Sequence, residues 1–150
     1  MKLRALALVA VALLAFAPGA AFAAATVQEM SAVGAMFTCQ GGVTYTVTSG
    51  TVRIAFNETT SASGNMSVTG TIVPQNVVAV SSTGGTFRIV GADWFGGSLN
   101  AQNGNMVFTD TEHFQILGPR GPVASVAQTF HISSNSTVTL DKGTCEPPPD

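Results

Sequence analysis

Charge is scarce in this sequence. Lys and Arg number six and Asp and Glu eight, together 9% of 150 residues. No cluster of basic side chains exists to neutralise a phosphate backbone or an anionic lipid surface, which argues against both partners. Histidine is limited to His113 and His131, so any zinc site would need carboxylates to complete it. The motifs GxGxxG, HExxH, GxSxG, CxxC and the Walker loop are all missing. Dinucleotide, nucleotide, zinc-protease, serine-hydrolase and dithiol chemistry therefore have no foothold, and no cofactor or metal is expected. Residues 24–150 show no helical period of apolar side chains.

What is present begins with a leader. Residues 1–23 read as a secretory signal peptide, with Lys2 and Arg4 ahead of the apolar run Leu6–Ala17. Pro18-Gly19 breaks that run, and Ala21-Phe22-Ala23 fits a small-x-small cleavage site. The run is shorter than the roughly 20 residues that span a bilayer. Cleavage near Ala23 leaves no membrane span, and the expected location is extracellular or at the cell surface. Without Lys2 and Arg4, four basic residues face eight acidic ones, a net charge of −4. Cys39 and Cys145 are the only cysteines. In an exported chain they are expected to pair as a disulfide.

From 36 to 145 short apolar/polar alternations follow one another, separated by Gly, Asn, Ser and Pro. Val43–Thr48, Thr51–Glu58, Asn65–Val73, Val77–Val80 and Val123–Ile132 read as strands, with a break at Ser49-Gly50 and another at Pro74. Gly118–Pro122 reads as a five-residue loop, and Thr137–Leu140 as the last strand. The expectation is an all-β, antiparallel meander of about 7–8 strands. It is an up-and-down barrel or alternatively a β-sandwich, closed by the disulfide. Residues 24–35 form an N-terminal arm or edge strand, and 146–150 a disordered Pro-rich tail.

The central piece is Gly85–Gly118. It carries the only Trp and four of the nine Phe. Asn103-Gly104 predicts a two-residue hairpin turn, which pairs residues whose numbers sum to 207. One face then holds Phe87, Ile89, Asp93 and Phe95 with Phe108, Asp110, Glu112, Phe114 and Ile116. This face is expected to look inward and to continue into Ala124, Val126, Phe130 and Ile132 of the next strand. Asp93, Asp110 and Glu112 form a candidate acidic cluster able to bind a cation or exchange a proton. The plainer expectation is three solvated acids beyond the core, near the turn. On the other face the same register sets Trp94 directly opposite His113. That pair, with Arg120 in the Gly-Pro-Arg-Gly-Pro loop, is the candidate recognition surface.

The stretch Gly-Thr-Phe-Arg-Ile-Val-Gly-Ala through Trp-Phe-Gly-Gly resembles uncharacterised small secreted all-β proteins of high-GC Gram-positive bacteria. Phe-Gln-Ile-Leu-Gly-Pro and Phe-His-Ile-Ser through Gly-Thr-Cys resemble them too. The likeness spans about Thr86 to Cys145 and implies no catalytic residue. Function is expected to be non-enzymatic: a secreted or cell-envelope module binding a small apolar molecule, a protein or a glycan. The alternatives are a small enzyme built on the acids, either a cation-assisted hydrolase or a cofactor-free isomerase or cyclase, and a structural envelope protein. An interior cavity with converging acids favours the enzyme, and an exposed Trp94 favours surface recognition.

Overall fold

A computed structural model describes residues 25–135 and 137–146, with the backbone alone for 138–144 and 146. The expected signal peptide and residues 147–150 of the expected tail lie outside the described residues. Eight strands make one antiparallel sheet: β1 (Thr26–Ser31), β2 (Met36–Thr38), β3 (Thr44–Thr60), β4 (Met66–Ser81), β5 (Thr86–Leu99), β6 (Met106–Gly118), β7 (Gly121–Ile132) and β8 (Val138–Glu146). The order is β1-β3-β4-β5-β6-β7-β8, and β2 also pairs with β3. β1 and β2 lie end to end along one edge of β3, at residues 51–56 and 44–46. Beyond them, each strand pairs with its successor because the connections are tight turns. Among the described residues no helix is long and apolar enough to cross a membrane.

The strands are longer than the sequence pattern suggests, because its breaks are bulges inside continuous strands. Ser49-Gly50 lies within β3, where the register to β4 shifts. Pro74–Asn76 lies within β4, between the pairs Ile72–Asp93 and Val77–Ile89. A proline is tolerated in this central strand because the ladder to β5 is interrupted there. The two bulges interlock. Gly50 has φ +107°, and a Cβ on it would stand 2.5 Å from the Val77 Cα. In line with them is Gly91 of β5, φ +130°, where a Cβ would meet the His113 carbonyl oxygen at 2.1 Å. Only glycine permits that conformation and that approach.

On one side of this line of irregularities lies the buried core: Tyr45, Val47, Val77, Ala79, Ile89, Phe114, Ile116, Ala124, Val126 and Cys145. Ile116 and Val47 are its largest fully enclosed side chains. Here the sheet curls until its edges meet. Phe37 of β2 packs edge-on against Phe114 of β6, ring centroids 6.1 Å apart. Cys39 bonds to Cys145 with Cα atoms 4.5 Å apart. The ladder itself is not closed into a barrel. β1 and β8 are its two free ends, and side chains and the disulfide do what strand hydrogen bonds do in a barrel.

Two turns differ from the sequence reading. The hairpin between β5 and β6 closes on the pair Leu99–Met106, leaving a loop from Asn100 to Asn105. Asn100 organises it: its Oδ1 accepts from the Gln102 and Asn103 backbone N–H groups at 2.9 and 3.3 Å. The Gly104 N–H donates to its carbonyl at 2.8 Å. Asparagine side chains that bond the backbone two residues on compete with a two-residue turn, and here they win. Conversely, the expected five-residue loop contracts to a two-residue turn at Pro119-Arg120, since Gly118 pairs with Gly121. Phe114 still faces Val126, and Ile116 faces Ala124, as the apolar pattern requires.

Candidate functional site

The longer hairpin loop shifts the β5–β6 register by two residues. Asp93 faces Glu112, and Phe95 faces Asp110. An even shift preserves the faces, so the acids stay on the inner side. β4 and β7 flank them: Ile72 stands opposite Asp93, Gln128 opposite Glu112 and Phe130 opposite Asp110. The rings of Phe95 and Phe108 stack alongside, centroids 6.3 Å apart. Phe95 can lie down because Gly70 lies beneath it, where a Cβ would meet its ring at 2.4 Å.

The three acids are therefore drawn into the protein rather than freely solvated, contrary to the plainer expectation. Asp93 is 5% exposed, and Asp110 and Glu112 are half-buried. Each offers one oxygen within 4.8 Å of the others. The Oδ1 atoms of Asp93 and Asp110 are enclosed and have no hydrogen-bond partner. Burial, a hydrogen bond with Asp110 and the charges of Asp110 and Glu112 push the Asp93 carboxyl up to about 9. Burial, and then the charge of Asp110, raises Glu112. Arg53, Arg88 and Arg120 are all exposed, and among the described residues no cation offsets these upward shifts. The arrangement can hold a proton between carboxylates or accept a cation.

The opposite face is built differently. Across four strands Thr71, Trp94, Thr111 and Thr129 stand side by side. The next row is Thr69, Gly96, Thr109 and His131. Thr109 Oγ1 and His131 Nδ1 share a hydrogen bond of 2.8 Å. Trp94 is 49% exposed. It faces Thr111, not His113, yet its ring still meets the imidazole diagonally at 5.9 Å. Two shallow grooves flank the pair. One, about 350 Å³, runs along Ala55, Asn57, Thr69 and Thr71. The other, about 250 Å³, runs along Val90, His113, Gln115 and Ser125. No carboxylate, lysine or arginine lines either groove.

No protein-family model, curated protein or solved structure matches this chain. The functional reading rests on its own geometry.

That geometry brings together two of the three expected recognition residues. Arg120 sits at the β6–β7 turn, seven residues from His113 and so roughly 20 Å along the strand. The threonine rows were not among the expected site residues. Their signal was in the Thr-x-Thr pairs Thr69–Thr71 and Thr109–Thr111, whose alternation places both hydroxyls of each pair on one face.

Proposed function

We propose that this chain is a non-enzymatic extracellular binding module whose outer sheet face holds a neutral glycan. The exposed Trp94, set among the threonines of a hydroxyl-rich patch, carries this reading. An indole presents a broad apolar plane with a polar edge, suited to the alternating C–H and O–H surfaces of a sugar ring. Thr71, Thr111, His113 and Asn57 surround it with hydrogen-bonding groups. A lining without lysine or arginine supports an uncharged ligand over an anionic one. Both grooves open on the outer face and neither touches the acids, which weighs for surface recognition over an interior carrier or an enzyme. A leader at 1–23 and a disulfide accord with an extracellular setting.

Trp94 is the only tryptophan, so its fluorescence reports directly on the face. Titration with soluble neutral polysaccharides is expected to shift and quench the emission, and Trp94→Ala is expected to abolish retention in affinity electrophoresis. Retention of the variant equal to that of the native chain would refute the assignment.

A further inference from the structure

We propose that Asp93, Asp110 and Glu112 form a calcium site on the inner face of the sheet. This is independent of the glycan reading, which concerns the opposite face. Three observations converge. The donors are all carboxylate oxygens, the hard ligands calcium prefers. One oxygen from each lies within 4.8 Å of the others, no further apart than two calcium–oxygen distances of about 2.3–2.6 Å span. Asp93, 5% exposed, holds an enclosed oxygen without a hydrogen-bond partner, and Asp110 holds another.

The third observation distinguishes this cluster from ordinary surface acids. Buried polar atoms are nearly always satisfied, and a buried carboxylate without a partner is costly. Fixed strands hold these oxygens together: Asp93 and Glu112 are directly paired across β5 and β6, and Asp110 is one step along the same face. A cation bound between the converging oxygens supplies these carboxylates with a counter-charge. Gln128, opposite Glu112 on β7, puts a neutral amide on the same face. Water supplies the remaining positions of a six- to eight-oxygen shell. Magnesium fits less well, because its oxygens must close to about 2.0–2.1 Å in a strict octahedron, and adjacent strands resist that contraction. The absence of thiolate, and of histidine from this face, disfavours zinc.

The test is calorimetric titration of CaCl₂ into the purified, disulfide-bonded chain, freed of metal by chelation, at pH 8. Thermal unfolding with and without calcium accompanies it. The expected result is one site per chain with Kd on the order of 10⁻⁴–10⁻³ M, the range of extracellular modules, and a calcium-dependent rise in Tm. Asp93→Asn and Glu112→Gln keep side-chain shape and are each expected to weaken binding by about tenfold or more. Circular dichroism verifies that both variants remain folded. No heat and no Tm shift at 10 mM calcium would overturn the proposal. So would unchanged affinity in both folded variants, or tighter binding of magnesium than of calcium.

Discussion

Replacing Asp93 by Asn tests whether the fold holds this carboxyl in its neutral form. An ordinary aspartate at 3.8 is pushed up to about 9 here, first by burial and then by Asp110 and Glu112. The folded-state value lies above the unfolded one, so the contribution to stability is fully present below about pH 4 and is lost as pH rises through about 9. Between those limits the folded chain holds a proton that the unfolded chain has released. One proton costs about 1.4 kcal/mol per pH unit, so two units remove about 3 kcal/mol. That is a large part of the roughly 5–15 kcal/mol that stabilises a domain. Glu112, raised by burial and by Asp110, pulls in the same direction. The Asp93→Asn amide cannot ionise, and its N–H can donate to Asp110 where the Asp93 carboxyl now hydrogen-bonds. Urea unfolding followed by circular dichroism, in chelator at pH 5, 6, 7 and 8, reads the slope directly. The native midpoint is expected to fall steadily across this range. The variant is expected to lose most of the slope and to be the more stable protein at pH 8. A native midpoint that is flat or rises from pH 5 to 8, or a variant with the native slope, would refute the reasoning.

Three further outcomes are expected. Opening the Cys39–Cys145 bridge, which closes 106 residues, should cost on the order of 4–5 kcal/mol in the chain-entropy model, read as the difference in urea stability between oxidised and reduced chains; a loss under about 1 kcal/mol would contradict it. Gly91→Ala forces a Cβ against the His113 carbonyl at φ +130° and should cost about 2–3 kcal/mol, whereas Gly84→Ala, strained at φ +93° but with open space around it, should cost less in the same melt. Trp94→Ala removes an exposed ring from a face outside the buried core, so its urea midpoint should stay within about 0.5 kcal/mol of native stability while glycan retention disappears.

Much of the fold was legible because a strand's face assignment depends only on alternation. Phe87, Ile89, Phe114 and Ile116 share a face under any even register, so the inner side of the sheet and its continuation into Val126 and Ala124 could be read directly. Register was harder to read, because it hangs on the turn. Asn100 captures the backbone of a longer loop, and this displaces Trp94 from His113 to Thr111. Pro74 and Ser49-Gly50 read as strand ends because local propensity cannot register that two bulges on neighbouring strands fit into each other. The cysteine pair could be inferred, but a disulfide does not specify whether hydrogen bonds or side chains close the seam.

By itself the sequence determined the strand composition, the hairpin order, the inner and outer residue sets, and the pairing of Cys39 with Cys145. Each follows from period-two alternation, from turn chemistry, or from there being only two cysteines. Tertiary structure alone decided that the sheet curls without closing its ladder. It alone brought Asp93, Asp110 and Glu112 into a buried cluster with two partnerless oxygens. Burial is the physical reason. A carboxylate's solvation depends on what β4 and β7 place around it, and those neighbours are distant in the chain and adjacent only in the folded sheet.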